Sequence, residues 1–196
     1  MTRLFFGLAL DPEVAERLQR SVAASLEGCG PVAVYGAEDM HLTLAFLGEI
    51  EPEKIPSIKR AATEEFRGLT APELRVGGEL GAFPSAQAPR ALFADVQEAP
   101  DSWGRLAALR NRALQVGLAH GWRQSRKDSE RPFRPHVTVA RPRGGASIPQ
   151  ELLGQHPERG WLPVDIVLFE SRPTRGEVGE ARYRALGAWP LVVRPG

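Results

Sequence analysis

Two short segments of this chain carry residue types that could do chemistry together. His41-Leu42-Thr43-Leu44-Ala45 reads His, apolar, Thr, apolar, Ala, and His136-Val137-Thr138-Val139-Ala140 reads the same. The 196 residues include only four histidines, so half of them head this repeat. Period-2 alternation makes each copy a strand, with His and Thr on one face and Leu or Val on the other. Imidazole has an unperturbed pKa near 6.5 and can give or take a proton near neutral pH. Two imidazoles on a common surface suit the cleavage of a phosphodiester or cyclic phosphate. One takes the proton of attacking water and the other protonates the departing oxygen. Thr43 and Thr138 stand about 6.5–7 Å along the strand from their histidines. That reach lets each hydroxyl hold a non-bridging phosphate oxygen while its histidine attends to an ester oxygen.

Other residues around the motifs are read against simpler roles. Arg141 directly follows the second motif and could pair with phosphate. Strict alternation puts it on the face opposite His136, so it serves only if the strand ends or twists there, and Pro142 makes an ending reasonable. Otherwise it is a surface arginine. Phe46 shares the parity of Leu42 and Leu44, so core packing is its first reading, with stacking on a base reserved for a strand edge. A metal centre on the pair would need a third His or a carboxylate at ligand spacing, and no HExxH or similar cluster occurs. No nucleophile elbow, P-loop or dinucleotide fingerprint is present. The expectation is therefore a site without metal or cofactor. His120, before Gly121 at a helix end, and His156, before Pro157 in a loop, read as structural or exposed.

The elements that must position these strands recur in the two halves. Arg3 to Leu8 is an apolar strand, and Asp11-Pro12-Glu13 opens a helix striped by Val14, Leu18, Val22 and Leu26. Arg90 to Val96 is again a strand, and Pro100-Asp101-Ser102 opens a helix carrying Leu106, Leu109, Ala113 and Val116. Each half then passes through a polar segment into its His strand, which points to internal duplication. Pro52 to Phe66 reads as a further helix. Leu74 to Leu80 reads as a strand interrupted by Gly77-Gly78, and Gly81 to Pro89 as the loop between halves. Val164 to Glu170 and Tyr183 to Leu191 close the chain as strands, with a loop at Arg172 to Gly176. The class is α+β, mostly antiparallel, with helices outside.

Size and composition fit one domain, 1–196, built from two lobes at approximately 1–85 and 86–196, with strand exchange between them allowed. The single Cys29 excludes an internal disulfide and a Cys-based zinc site. No apolar run is long enough to span a bilayer. The apolar start is followed by Asp11-Pro12-Glu13 rather than a small-residue cleavage site, so it reads as a core strand and the cytoplasm is the expected compartment. Net charge is only +1. Arg123, Arg126, Lys127, Arg131, Arg134, Arg141 and Arg143 nevertheless cluster around the second motif. They are either a solvated face or the electrostatic footprint of an anionic substrate.

At these residues the sequence resembles the two-histidine (2H) phosphoesterase superfamily, whose mark is a pair of His-x-Thr/Ser-x motifs. It is most similar there to the LigT-like RNA 2′,3′-cyclic phosphodiesterases, also called 2′-5′ RNA ligases. The resemblance rests on Arg3-Leu4-Phe5-Phe6, on Asp39 to Gly48, on Phe133 to Arg141 and on the Tyr183 segment. It implies a pseudo-two-fold, bilobal fold with two sheets lining a central cleft. It implies metal-independent hydrolysis of a terminal RNA 2′,3′-cyclic phosphate to a 2′-phosphate, together with reversible 2′-5′ ligation. It assigns His41 as proton donor to the 3′-oxygen and His136 as base, with Thr43, Thr138 and Arg141 on the phosphate. The partner is then an RNA end, such as a tRNA fragment, met by a monomer. Two other readings stay open. One is a 2H enzyme for another cyclic phosphate, such as an ADP-ribose derivative, or for 2′-5′ linkages. The other is an RNA-end binding protein without catalysis.

Overall fold

A computed structural model describes residues 1–122, 132–143, 148–149, 153, 155–172 and 182–193. Strand β1 (Thr2–Ala9) is the apolar opening run, buried from Leu4 through Leu8. Helix α1 (Pro12–Ser25) starts as its sequence dictates: the Asp11 carboxylate accepts from the N–H groups of Glu13 (2.9 Å) and Val14 (3.3 Å). Short β2 (Val32–Val34) precedes β3 (His41–Ile50). A 3-10 turn at Pro52–Lys54 leads into α2 (Ile55–Glu65). Then come β4 (Leu74–Phe83), β5 (Ala91–Glu98), α3 (Arg105–Ala119) and β6 (His136–Pro142). β7 (Gln155–Trp161), β8 (Asp165–Ser171) and β9 (Tyr183–Pro190) complete the described elements.

Strands β2 and β7 were not legible in the sequence. β7 contains His156, which is buried in a strand rather than placed in a loop, with Nδ1 2.9 Å from Ser21 Oγ on α1. β4 runs on to Phe83, which shortens the expected loop between halves. Its Gly77 and Gly78 both have positive φ at a bulge in the ladder to β5, where Gly77 faces Asp95, Leu80 faces Ala94, and Gly78 and Glu79 are extra.

The strands pair antiparallel in the order β7-β4-β5-β6-β3-β1-β8-β9, with β2 on β6. Two sets of four are thus joined between β6 and β3 in one continuous path, where two separate sheets were expected. The junction is a single pair, Leu42 opposite Val137. The sets also cross the expected boundary at residue 85. β4 lies with β5, β6 and β7, whereas β8 and β9 lie with β1 and β3. Leu42, Leu44, Val137 and Val139 share one core with Val14, Leu18 and Val22 of α1, Ile58 and Ala62 of α2, and Leu106, Leu109, Ala113 and Val116 of α3. All three helices therefore cover the Leu/Val face, and the His/Thr face is left to the site.

Candidate active site

The joining pair fixes the site. Leu42 and Val137 hold the same place in their motifs, so the antiparallel register sets His41 across from Thr138 and Thr43 across from His136. All four side chains lie on the face opposite the core. By this register the histidines stand on one diagonal about the pair and the threonines on the other. The two strands share a single ladder pair, so the diagonal of a regular ladder, about 7–8 Å, is a lower bound, which leaves room for one tetrahedral phosphate between two imidazoles.

Each motif is followed by a β-bulge at the same point. In the ladder of β1 with β3, Gly7 faces Thr43 and Phe6 faces Ala45, which leaves Leu44 extra. In the ladder of β5 with β6, Phe93 faces Thr138 and Leu92 faces Ala140, which leaves Val139 extra. An extra residue reverses the alternation. Leu44 with Ala45, and Val139 with Ala140, are buried as neighbours, and the next residue of each strand is exposed. These next residues are Phe46 and Arg141. Strict alternation put Phe46 in the core and Arg141 on the face opposite His136, and the bulges correct both. Phe46 is 47% exposed, stacked at 6.2 Å on Phe5, with the Arg3 guanidinium 6.0 Å from its ring. Arg141 donates from Nε to the hydroxyl of buried Tyr35 at 2.6 Å.

His41 donates from Nδ1 to the Asp39 carbonyl at 2.8 Å. The carbonyl can only accept, so the neutral ring holds its proton on Nδ1 and turns Nε2 to the site. Phe5 (4.7 Å), Tyr183 (4.6 Å) and Phe169 (5.4 Å) surround the ring. This burial lowers its pKa to about 4, against the hydrogen bond to Asp39 and with help from the charge of His136. Burial, with Tyr35 adding to it, pushes the Tyr183 phenol up, so it stays protonated. The Asp39 carboxylate is buried and accepts the Arg182 N–H at 2.7 Å, with Arg182 Nε at 3.8 Å. Asp39 thus orients His41 with its carbonyl and moors the start of β9, hence Tyr183, with its side chain. Burial raises its pKa despite that hydrogen bond.

His136 repeats the orientation, with Nδ1 donating to the Arg134 carbonyl at 2.8 Å. Its aromatic neighbours are Phe83 (5.1 Å) and Phe93 (5.3 Å), themselves stacked at 4.2 Å. Phe93 lies over Gly81, where any Cβ would overlap the ring. Arg134 forms a two-pronged ion pair with Asp95 (2.9 and 2.8 Å) and sits 4.6 Å from the Phe93 centroid.

Of the basic run, Arg134, Arg141 and Arg143 fall within the description, while Arg123, Arg126, Lys127 and Arg131 lie outside the described residues, as does most of the loop at Arg172 to Gly176. Sequence reasoning missed Tyr35, Asp39, Phe83, Phe93, Phe169 and the Arg134–Asp95 pair as parts of the site. Residues two before each histidine were a signal in principle, because in both motifs that carbonyl sets the imidazole. Among the described residues no three His, Cys, Asp or Glu side chains converge to hold a metal ion, and no helix is long and apolar enough to cross a membrane.

Comparison with known proteins gives a consistent answer. The RNA 2′,3′-cyclic phosphodiesterase of Escherichia coli is 30% identical, with 97% of each chain covered. Its counterpart from Thermus thermophilus is also 30% identical, over 96% of this chain and 98% of its own. The crystal structure of E. coli LigT complexed with 3′-AMP superposes with a TM-score of 0.67 at 26% identity, covering 97% of this chain and 98% of that one. Residues 8–168 match the 2′-5′ RNA ligase superfamily, and both His motifs fall inside that span: the chain belongs to this superfamily.

Proposed function

We propose that this chain is an RNA 2′,3′-cyclic 3′-phosphodiesterase that opens a terminal cyclic phosphate to a 2′-phosphate through His41 and His136. The observation that carries this is the diagonal placement of two His–Thr pairs about the Leu42–Val137 junction, on one face of the sheet. Water attacks phosphorus and gives its proton to His136 Nε2. The bond to the 3′-oxygen breaks and His41 Nε2 supplies that oxygen's proton. Thr43 and Thr138 hold the non-bridging oxygens from the other two corners, and Arg141 adds positive charge. Phe46 offers its exposed ring to the base. The donor set is imidazole, hydroxyl and guanidinium, so the reaction proceeds without metal or cofactor. With a ribose 5′-hydroxyl in place of water the same ring opening forms a 2′-5′ diester, and the reverse of that step cleaves the diester to the cyclic phosphate.

The shared names of the relatives support the substrate class. The repeated pairing of β3 with β1 and β6 with β5, bulge included, supports a pseudo-two-fold domain of two duplicated lobes spanning 1–196. In that arrangement the divergence of β3 from β6 beyond their single pair opens a cleft over the site. The protein acts as a cytoplasmic monomer on RNA ends, tRNA fragments among them.

One role has a condition attached. A donor must be protonated, and free His41 is neutral at pH 7 because its pKa is about 4. The phosphate anion, placed against the ring in a water-poor site, restores its affinity for the proton. The test is phosphorus NMR of an oligoribonucleotide 2′,3′-cyclic phosphate incubated with the protein and a chelator. A 2′-monophosphate is expected. A 3′-phosphate reverses the substrate and both histidine roles. Tight binding without turnover identifies an RNA-end binding protein instead. Recovery only on adding a divalent ion ends the metal-free mechanism.

A further inference from the structure

The hydrolysis just described has one nucleoside at the phosphorus, because both ester oxygens of a cyclic phosphate belong to one ribose, and adenosine 2′,3′-cyclic phosphate is a substrate with that one base alone. The site nevertheless has two phenylalanine rings open to solvent. Phe46 is 47% exposed and Phe83 38% exposed, and no other phenylalanine is among the exposed large hydrophobic residues described. They lie in different sets of strands: Phe46 in the set that carries His41, Phe83 in the set that carries His136. Phe46 reaches His41 through Phe5. Phe83 meets the edge of His136 directly, at 5.1 Å and 69° between planes. One face of Phe83 is backed at 4.2 Å by buried Phe93, whose place is cleared by Gly81, so the ring is held. The corresponding ring beside His41 is Phe169, which faces Phe5 across β1 and β8 as Phe83 faces Ala91 across β4 and β5. Phe169 is only 9% exposed and Tyr183 packs over its cluster. Only the copy beside His136 is uncovered.

We propose that Phe83 is the platform of a second nucleoside subsite, which takes the base of an incoming nucleoside whose 5′-hydroxyl occupies the place of water beside His136. The inference rests on the reading of His136 as the base. In this step the 5′-oxygen bonds to phosphorus and passes its proton to His136 Nε2. The P–O3′ bond breaks, His41 gives its proton to the 3′-oxygen, and phosphorus remains on the 2′-oxygen as a 2′-5′ diester. Aromatic stacking accepts any base, so the subsite selects for the presence of a nucleoside rather than for a sequence.

The experiment follows the partition of adenosine 2′,3′-cyclic phosphate between water and added adenosine, as the ratio of 2′-5′ dinucleotide to 2′-monophosphate. Both products use the same histidines and threonines, so a general loss of catalytic power leaves the ratio unmoved. Phe83→Leu should lower the ratio about tenfold, near the low end of one base–aromatic stack. Phe83→Trp should keep it within about twofold, and Phe46→Leu should lower total turnover with little change in the ratio. By reversibility, cleavage of the 2′-5′ dinucleotide should fall with Phe83→Leu relative to cyclic phosphate hydrolysis. An unchanged ratio in Phe83→Leu, or a wild-type protein that hydrolyses the cyclic phosphate and never uses adenosine, overturns the subsite while leaving the phosphodiesterase intact. A wild-type protein with no turnover of either kind removes both.

Discussion

His41 and His136 each head a strand, each donate Nδ1–H at 2.8 Å to the carbonyl two residues earlier, and each are followed by a bulge at the third residue after. Their surroundings differ. Phe5, Phe169 and Tyr183 close around His41, and its anchor Asp39 is 4% exposed. His136 has the open ring of Phe83 beside it, and its anchor Arg134 pairs with Asp95 at the surface. Backbone and register set where the two nitrogens stand, and packing weakens the hold of His41 on a proton. The donor role proposed for His41 therefore depends on the bound phosphate anion, not on the packing of the free protein.

The largest effects should come from breaking the pair. His41→Ala and His136→Ala are each expected to lower kcat by about 10²–10⁴-fold, the usual range for a general acid or base. The double variant should be little worse than either alone, since both groups serve one transition state. Multiplicative losses would show two independent roles. The comparison sharpens with an aryl ester as leaving group, which departs without a proton. It should rescue His41→Ala far more than His136→Ala, and the opposite pattern would exchange the two assignments.

Proton affinity is the next separation. NMR titration of the free protein should place His41 near its lowered pKa of about 4. Saturation with inorganic phosphate should move it upward, as the donor role requires. Stability carries the same signature. A histidine whose folded pKa lies below its unfolded value binds fewer protons when folded, so its contribution is full above about 6.5 and is lost as pH falls toward 4. A gap of about 2.5 units corresponds to at most ~3 kcal/mol. His41→Phe should flatten denaturation midpoints between pH 6.5 and 4, and an unchanged slope would mean that the ring is better solvated than its packing implies.

Much of this site was legible because the chemistry repeats. Two His-x-Thr strands among four histidines gave the acid–base pair and the hydroxyls, and their alternation gave the face. The bulges were not legible, since Leu44-Ala45 and Val139-Ala140 look like ordinary strand residues, and one extra residue moves Phe46 and Arg141 to the other side. The sequence allows strand exchange between the lobes, but that β4 and β8–β9 are the strands exchanged was hidden for another reason. Order along the chain gives the elements, whereas pairing depends on contacts between distant segments. Tyr35, Asp39 and Tyr183 join the site only through such contacts.

Thr43→Ala and Thr138→Ala should each cost about 1.5–3 kcal/mol in kcat/KM, the range of a hydrogen bond to a charged group. Serine at either position should restore most of the loss. Similar costs at the two positions would fit the diagonal arrangement, in which each hydroxyl holds one non-bridging oxygen. A loss confined to one threonine would show that the phosphate sits off the junction and leans on one half-site.

The smallest expected difference concerns the anchors, and it tests whether burial rather than charge makes an anchor matter. Both Asp39 and Arg134 lend a carbonyl to a histidine and use a side chain elsewhere. The Arg134–Asp95 pair is exposed, 56% and 37% by side chain. Exposed pairs contribute about 0–1 kcal/mol, so Asp95→Asn should change kcat by less than about threefold. Asp39 is buried, and its carboxylate takes the Arg182 N–H at 2.7 Å. Asp39→Ala leaves that N–H without its acceptor, at about 1–3 kcal/mol. Because Tyr183 follows Arg182, the change should also loosen the packing over His41 and raise its pKa toward the ordinary value. Asp39→Asn keeps an acceptor oxygen and should recover both stability and the low pKa. If Asp39→Asn instead behaves like Asp39→Ala, a neutral acceptor does not hold the Arg182 N–H, and the charge of the carboxylate is what moors Tyr183 over His41. Loss of that charge acting directly on the ring would have the opposite sign and lower its pKa.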